Sequence, residues 1–391
     1  MLIGIDGNEA NVKNRVGSGQ YGYELLKQFS KDKKHEYSIY LKEKPLDDLP
    51  QETENFKYKV FGPNKLWTQL ALPIRLYLGK KPDVFFSMAH YGPRFSKVPY
   101  VVTIHDLSYL HYPELFKKND LYQLTSWSKY SIENSAHVIA VSETTRLDIV
   151  KNYNIKPSKI SVTYEGYDKN RFKPQPQSEV DRVKNLYGIN SPYIIFVGTL
   201  QPRKNLERLI EAFASIVNSS HINLSLVIAG KKGWLYEPIF AKVKELGLEG
   251  KAIFTDFVPD SKLPALIAGA KCCVLPSLWE GFGIPVIEAQ ACGVPVVVSN
   301  TSSLPEIVGA NQDTSEVGSD SSEVSGSGVI VDPEDSDSIA SGIKKVITNP
   351  KLAQKLVSLG FANIKRFSWQ KCAEDTLRVL EKVASKQKPI V

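Results

Sequence analysis

The chain is poor in cysteine, and several motifs that define other protein classes are missing from its 391 residues. Its four cysteines, two of them adjacent at Cys272 and Cys273, are too few and too unevenly spaced for a disulfide framework. No C-x-x-C pair occurs, which argues against a structural zinc site, and no G-x-S-x-G elbow occurs, which leaves a hydrolase triad poorly supported. Buried free thiols in a reducing compartment account better for the cysteines.

Long apolar runs are also missing. No stretch of about 18 apolar residues is present, so the sequence predicts no transmembrane helix. Asp6 and Glu9 interrupt the first ten residues where a signal peptide needs an unbroken apolar core. This segment is instead typical of a buried strand that ends in a turn. We therefore expect a cytoplasmic protein.

Positive charge is in excess only in the first half of the chain. Residues 1–174 carry 26 Lys and Arg against 19 Asp and Glu, whereas residues 175–391 carry 23 of each kind, and the net charge is +7. A solvated basic face explains this distribution, and so does attraction to an anionic acceptor or an anionic membrane surface. Peripheral contact with the inner face of a membrane is thus a second expectation, and no nucleic-acid partner is expected.

One segment of that basic half combines apolar and positive residues. Trp67, Leu70, Ile74 and Leu78 recur at helical spacing, close to Lys80 and Lys81. Core packing is the more common use of such a stripe, and membrane contact is the alternative.

Short apolar runs alternate with amphipathic stretches along the whole chain, a pattern that indicates an α/β protein with parallel sheets. Pro174 and Pro176 interrupt both periodicities, so two successive doubly wound arrays are predicted. The polar Ser/Gly-rich segment 309–328 has no apolar period and predicts a long mobile loop. The predicted strands are Leu2–Asp6, Tyr37–Leu41, Asp83–Ser87, Tyr100–Ile104, His137–Val141, Ile160–Thr163, Tyr193–Gly198, Leu224–Ala229, Ala252–Phe254, Cys272–Leu275, Val294–Val298 and Gly328–Val331.

A G-x-G-x-x-G pattern occurs at Gly17, Gly19 and Gly22. In a dinucleotide fold this pattern must follow the first strand directly, but here Gly17 comes 11 residues after Asp6. The nicotinamide or flavin interpretation is therefore disfavoured. Backbone N–H groups in a glycine-rich loop before a helix still suit an anion.

The strongest segment is PSLWEGFGIPVIEAQACGVPVVVSN, residues 276–300. Glu280 precedes a predicted helix, Pro285 lies in its first turn, and Glu288 follows eight residues after Glu280. Gly281 and Gly283 offer backbone N–H groups at the helix N-terminus, which makes an anion site. Glycosidase carboxylates face each other across one bond, about 5–10 Å apart, whereas this spacing favours two contacts with one elongated ligand.

Two further clusters follow predicted strands. Arg203 and Lys204 stand at a helix entrance after Gly198, where the helix dipole disfavours cations by about 0.3–1 kcal/mol. A bound anion would remove the conflict, and two solvated surface cations are the alternative. His105 and Asp106 end another strand, where the histidine either orients a sugar hydroxyl or is simply packed.

Together these segments resemble the retaining glycosyltransferases of family 4, which have the GT-B fold. The E-x7-E motif of that family matches Glu280 and Glu288, and VGTLQPRKNL, VSETTRLDI, YEGYD and LPEIVG resemble other family segments in the expected order. The resemblance implies two Rossmann-like domains that face a central cleft. Residues 1–174, joined by a returning helix at 370–391, would form the acceptor side, and residues 175–369 the sugar-nucleotide side.

The resemblance also implies roles for individual residues. Glu280 would contact hydroxyls of the donor sugar and Glu288 the nucleotide ribose, while Arg203 and Lys204 hold the diphosphate. His105 would face the transferred sugar, so the implied catalytic residues are His105, Arg203, Lys204 and Glu280. The implied donor-binding residues are Gly19 in a loop over the phosphates, Gly198, Val258 near the nucleobase, Phe282, Gly283 and Ile284 around the helix N-terminus, and Glu288.

The implied reaction is transfer of a hexose from a nucleotide diphosphate sugar with retained anomeric configuration. Several segments look most like mannosyltransferases, which favours GDP-mannose as donor and a glycan or polyprenyl-linked glycan as acceptor. A UDP-glucose-dependent glucosyltransferase, a sugar-nucleotide epimerase of the same fold and a non-catalytic nucleotide-sugar-binding protein remain alternatives. Asp335 and Asp337 form a D-x-D that resembles a helix N-cap, so no metal and no other cofactor is expected.

Overall fold

The computed structural model describes residues 1–220, 222–310 and 322–386. The chain divides into two compact units. Unit 1 comprises Met1–Gly166 and Ser368–Val391, and unit 2 comprises Tyr167–Phe367. Each unit is built on its own seven-stranded sheet.

The sheet of unit 1 is parallel throughout, with the strand order β3-β2-β1-β4-β5-β6-β7. Continuous apolar strands such as β4 and β5 are buried on both faces, as their composition requires. The strands are β1 (Leu2–Asp6), β2 (Glu36–Leu41), β3 (Phe56–Val60), β4 (Val84–Ser87), β5 (Tyr100–Ile104), β6 (His137–Ala140) and β7 (Ile160–Val162). The α-helices are α1 (Ser18–Phe29), α2 (Leu72–Leu78), α3 (Ser108–His111), α4 (Lys118–Asn134), α5 (Glu143–Tyr153) and α14 (Trp369–Ser385).

Helix α14 ends the described part of the chain and packs in unit 1. The rings of Trp369 and Tyr21 are 6.1 Å apart, and the Nζ of Lys34 lies 2.6 Å from a carboxylate oxygen of Glu381. These contacts confirm the returning helix that the resemblance implied. Residues 387–391 of the implied segment 370–391 lie outside the described residues.

The sheet of unit 2 has the order β10-β9-β8-β11-β12-β14-β13, and its last pair, β13 with β14, is antiparallel. The strands are β8 (Tyr193–Val197), β9 (Ser225–Ala229), β10 (Ala252–Asp256), β11 (Cys273–Leu275), β12 (Val296–Ser299), β13 (Ser322–Ser325) and β14 (Gly328–Val331). The α-helices are α6 (Gln177–Leu186), α7 (Leu206–Ser220), α8 (Glu237–Glu245), α9 (Leu263–Ala268), α10 (Ile284–Ala291), α11 (Leu304–Val308), α12 (Ser336–Ile347) and α13 (Pro350–Asn363).

All twelve predicted strands are present, but the edge strands β3 and β13 were not predicted. Strand β3 has the sequence FKYKV and β13 has the sequence SEVS, and neither is a continuous apolar run. An edge strand can be polar on its solvent side and still pair through its backbone. The predicted loop 309–328 is therefore wrong at residues 322–325. Residues 311–321 of that loop lie outside the described residues.

The apolar stripe of residues 67–78 does not pack as a single face. Trp67 is buried, but Leu70, Ile74 and Leu78 are 55%, 57% and 80% exposed, so core packing is wrong for these three residues. The physical reason is a π-helical turn at Trp67–Ala71, which changes the helical phase before α2 begins. Among the residues described here, no helix is long and apolar enough to cross a membrane.

The four cysteines are buried free thiols, as expected.

Candidate active site

The loops after β8 and β9 in unit 2 approach each other at backbone distance. The N–H of Gly198 donates to the carbonyl of Ala229 at 2.9 Å. A Cβ on Gly230 would lie 1.8 Å from the carbonyl oxygen of Gly198, so only glycine fits there. This contact fixes the chain that leads from β8 to Arg203 and Lys204.

Arg203 and Lys204 lie on a single 3₁₀ turn, Pro202–Lys204, which ends at Asn205 in the left-handed conformation. The buried side-chain amide of Asn205 donates to the carbonyls of Pro276 (2.9 Å) and Pro333 (2.7 Å). Asn205 therefore ties this turn to the ends of β11 and β14. Sequence reasoning did not single out Asn205, although its neighbours were predicted site residues.

Glu280 brings both cations together. Its Oε1 lies 2.5 Å from the Nζ of Lys204, and its Oε2 lies 3.3 Å from Nη1 of Arg203. The guanidinium also donates to the carbonyl of Trp279. Glu280 is 6% exposed, and the side chains of Arg203 and Lys204 are each 12% exposed. The interpretation as two solvated surface cations is therefore wrong, and in this structure a protein carboxylate is the anion beside them.

The surroundings of Glu280 favour its charged form. Burial by itself would raise the pKa of this carboxyl group, but the charges of Lys204 and Arg203 and a 2.7 Å hydrogen bond from Ser277 lower the pKa below its ordinary value. The carboxylate is thus ionised at neutral pH and accepts hydrogen bonds rather than donating them. The three side chains together carry a formal charge of +1.

Two serines on the loop after β12 hold the Glu280 segment in place. The hydroxyl of Ser302 accepts the backbone N–H of Glu280 at 2.9 Å. The hydroxyl of Ser303 lies 3.0 Å from each of the carbonyls of Glu280 and Phe282. Sequence reasoning missed both residues, because a serine pair 22 residues from its partner has no local signature.

Helix α10 begins directly after this segment, as the proline pattern predicted. Gly283 precedes it with φ 103°, a conformation that favours glycine, and Pro285 lies in the first turn. The ring of Phe282 is buried against Phe367 with centroids 5.5 Å apart. The side chain of Phe282 therefore packs in the core, and its backbone, with that of Ile284, is the part placed at the helix start.

Glu288 lies on α10 and is 9% exposed. Its Oε1 is 4.0 Å from Nη2 of Arg171, which also pairs with Asp260 at 2.6 Å. Burial first and the charge of Glu288 second raise the pKa of Cys273 to about 12. Arg171 was not predicted, because its segment carries no motif that points to Glu288.

Val258 is buried in the loop after β10, two residues before Asp260. Its predicted place beside a nucleobase stays a prediction.

In unit 1, His105 follows β5, and its side chain is 12% exposed. Its Nε2 donates to the carbonyl of Met88 at 3.0 Å, and its Nδ1 lies 3.3 Å from a carboxylate oxygen of Glu165. Burial alone would lower the pKa of His105, but the hydrogen bond and charge of Glu165 outweigh it and raise the pKa. An imidazolium that donates from both nitrogens fits this geometry. Glu165 was missed as the partner of His105.

Gly19 also belongs to unit 1 and lies in the first turn of α1. Its N–H donates to the carbonyl of Val16 at 3.1 Å. Helix α1 begins 12 residues after the end of β1, so the geometry of a dinucleotide fingerprint is not formed. A phosphate contact of Gly19 stays a prediction.

Asp335 caps helix α12, and its carboxylate accepts the N–H of Asp337 at 2.8 Å. The N-cap interpretation of the D-x-D is thus confirmed. Within residues 1–220, 222–310 and 322–386, no group of three or more His, Cys, Asp or Glu side chains is placed to hold a metal ion.

Two α/β units, each built on a mostly or wholly parallel seven-stranded sheet, with cations and carboxylates after the strands of unit 2, are typical of a GT-B protein. Residues 16–171 match the family described as Glycosyltransferase Family 4, and residues 177–363 match the family described as Glycosyl transferases group 1. This chain belongs to glycosyltransferase family 4 and is a glycosyltransferase.

Individual relatives agree with this assignment. O-antigen chain mannosyltransferase B of Escherichia coli is 28% identical over 379 residues, which cover 93% of this chain and 95% of that protein. Sucrose-phosphate synthase from Thermosynechococcus elongatus has the same fold, with a TM-score of 0.77 and 18% identity over 99% of this chain and all of that one. Anabaena HepE, solved with UDP-glucose, has a TM-score of 0.73 and 18% identity over 97% of this chain and 99% of that one.

Proposed function

We propose that this protein transfers a mannosyl residue from GDP-mannose to a glycan or polyprenyl-linked glycan, with retention of the anomeric configuration. The buried cluster of Arg203, Lys204 and Glu280 carries the proposal, because its two cations suit a diphosphate and its carboxylate suits sugar hydroxyls. The mannosyltransferase relative that matches nearly the whole chain supports mannose as the transferred sugar.

The hard step is cleavage of the anomeric C–O bond while negative charge grows on the leaving diphosphate. In this proposal Arg203 and Lys204 stabilise that charge, and the backbone at the start of α10 adds hydrogen-bond donors. Both cations contact Glu280, and in this proposal a bound diphosphate supplies a second anion for them.

Glu280 is given a binding role rather than an acid or base role. Because the pKa of this carboxyl group is lowered, it is a poor proton donor at neutral pH and a good acceptor for donor-sugar hydroxyls. No carboxylate needs to act as nucleophile, since the departing phosphate can take the acceptor proton on the same face of the sugar. His105 would contact the transferred sugar and Glu288 the ribose.

Charge neutralisation by Arg203 and Lys204 takes the place of a divalent cation in this proposal. A chelator is therefore expected to leave the transfer rate unchanged. Peripheral contact with an anionic membrane is proposed for the acceptor side.

A panel of GDP, UDP, GDP-mannose and UDP-glucose in thermal-shift experiments tests the donor. A ligand at 100 times its Kd stabilises the protein by about 2.7 kcal/mol, or about 5–10 °C in Tm for a unit of this size. We expect GDP-mannose to raise the Tm more than UDP-glucose does. The Lys204→Ala variant should lose most of it, and Lys271→Ala, an exposed lysine at the amino end of β11, should keep it.

NMR of the reaction mixture separates the remaining alternatives. Transfer or slow donor hydrolysis with a retained anomer supports the proposal. In the thermal-shift panel, a larger increase in Tm with UDP-glucose than with GDP-mannose would favour a glucosyltransferase. An epimerised nucleotide sugar, or binding with no turnover, would contradict transfer.

A further inference from the structure

Exposed apolar side chains concentrate in one short part of unit 1. The most exposed of them are Leu78, at 80%, and Phe95, at 74%. Leu66, Leu70, Ile74 and Tyr77 are between 40% and 57% exposed. Single exposed leucines are ordinary on a protein surface, but a cluster of large apolar side chains indicates an interaction site.

The helical segment 67–78 produces this cluster by turning one side outward. Trp67, Leu72 and Leu76 are buried, whereas Leu70, Ile74 and Leu78 are exposed. The π-helical turn at Trp67–Ala71 changes the phase, so that Trp67 points inward and the three aliphatic residues share the outer side. Such π turns are rare and occur often at functional sites.

Phe95 is held next to that helix in a strained conformation. Its φ of +52° is unfavourable for a residue with an aromatic side chain. Its carbonyl accepts the hydroxyl of Tyr77 at 3.0 Å, and its N–H donates to the hydroxyl of Tyr130 at 3.0 Å. Two hydrogen bonds thus keep the Phe95 loop beside α2 with the ring directed to solvent. We call Leu70, Ile74, Leu78 and Phe95 the docking face.

Basic side chains lie on and next to the segments that form the docking face: the Nζ of Lys97 is 5.2 Å from the ring centre of Tyr77, and the guanidinium of Arg94 is 4.9 Å from that of Tyr130. Residues 55–98 contain eight Lys and Arg and one acidic residue, Asp83, a formal charge of +7 that equals the net charge of the whole chain. Lys65, Arg75, Lys81 and Lys97 are exposed. Lys80 is exposed as well and pairs with the exposed Glu36 at 3.2 Å, a contact that water screens.

This combination selects one partner chemistry. A polyanion in water would neutralise the lysines but leave Leu78 and Phe95 solvated. A second copy of this chain would bring two strongly basic surfaces together. An anionic lipid bilayer satisfies both demands, because its interface takes up apolar side chains while its headgroups attract Lys and Arg.

We propose that the docking face binds an anionic lipid bilayer, with the side chains of the face entering the interface and the neighbouring cations against the headgroups. The inference specifies the membrane contact of the proposed function and so rests on it for its biological meaning. Binding itself needs neither donor nor acceptor, and it places a lipid-linked substrate on the same surface as the enzyme.

Sedimentation with vesicles tests the proposal. The full chain should bind vesicles of phosphatidylglycerol and phosphatidylcholine, should bind phosphatidylcholine alone far less, and should dissociate as salt is raised. The double variant Leu78→Ser/Phe95→Ser should bind at least tenfold more weakly. The control Leu147→Ser/Leu186→Ser removes two apolar side chains that are about half exposed elsewhere and should bind like the parent protein.

Three results would overturn the proposal: no binding to the anionic vesicles, equal binding by Leu78→Ser/Phe95→Ser, or a dimer in solution that this double variant abolishes. GDP binding by the same variants is measured in parallel. If the parent protein does not bind GDP, the proposed function is contradicted. If the parent protein binds GDP but not the anionic vesicles, only the proposal for the docking face is contradicted.

Discussion

Replacing Glu280 by glutamine should destabilise the ligand-free protein while it strengthens the binding of GDP. The substitution keeps the shape of the side chain but removes the charge that Lys204 and Arg203 share at 2.5 and 3.3 Å. Loss of one partner from a buried ion pair costs about 3–5 kcal/mol, and we take about 3 kcal/mol because both cations keep some contact with water. For a unit of about 200 residues this lowers Tm by about 6–12 °C.

A bound diphosphate restores the missing charge. We therefore expect GDP to bind Glu280→Gln about tenfold more tightly than it binds the parent protein and to raise the Tm of the variant more. Transfer should fall by roughly 100- to 1000-fold, because the carboxylate no longer accepts donor hydroxyls in the transition state. Thermal shift with and without GDP, together with steady-state kinetics on GDP-mannose, measures all three effects.

The pH dependence gives an independent check. The folded-state pKa of Glu280 is lowered, so the cluster contributes stability above the unfolded value of about 4.5 and loses it as pH falls through the folded pKa. The difference in Tm between the parent protein and Glu280→Gln should thus be full at pH 7 and shrink below pH 4.5.

A matched control and a clear contradiction complete the design. Glu179 pairs with Arg182 at 2.7 Å on the surface of α6, and Glu179→Gln should change the free energy of unfolding by less than about 0.5 kcal/mol. An unchanged Tm in Glu280→Gln, or full transfer by that variant, would show that the cluster does not work as described.

Two further substitutions probe the supporting residues. Glu165→Gln removes the negative partner of His105, so an NMR titration should give a lower midpoint for this histidine, and an unchanged midpoint would contradict the pairing. The parent protein gains stability from this pair below pH 6.5 and loses it as pH rises through the raised pKa of His105, so the variant should lack that component. Gly230→Ala places a Cβ 1.8 Å from the carbonyl of Gly198 and should cost more than about 4 kcal/mol in chemical denaturation. Gly188→Ala, at φ +66° with nothing within 4 Å, is its control and should cost only about 1 kcal/mol.

Features that depend on neighbouring residues could be predicted from the sequence. Buried parallel strands are recognised as apolar runs such as YIIFV and SLVIA, because both faces of the sheet are covered. The turn before α10 could also be predicted, since glycine allows a positive φ and proline is favoured in the first turn of a helix. Strands β3 and β13 were not predicted, because a strand at the edge of a sheet can carry polar side chains where it faces solvent and then lacks a continuous apolar run.

Hydrogen-bond and ion-pair partners that are distant in sequence could not be predicted. Asn205 meets the carbonyl of Pro333 across 128 residues, and Ser302 meets the backbone of Glu280 across 22. Neither contact has a spacing that any local rule could detect. The same holds for Glu165, whose role depends on where β7 leads the chain relative to His105.

The two α/β arrays and the charged residues Arg203, Lys204 and Glu280 can be identified from the amino-acid sequence, because periodicity and motif spacing are local properties. The fold is needed to show that these three side chains form one buried cluster and that Leu70, Ile74 and Leu78 face solvent. Burial and pairing arise when strands distant in the chain become neighbours. The phase of the helical segment 67–78 depends on the π turn at Trp67–Ala71, which no local pattern in the sequence indicates.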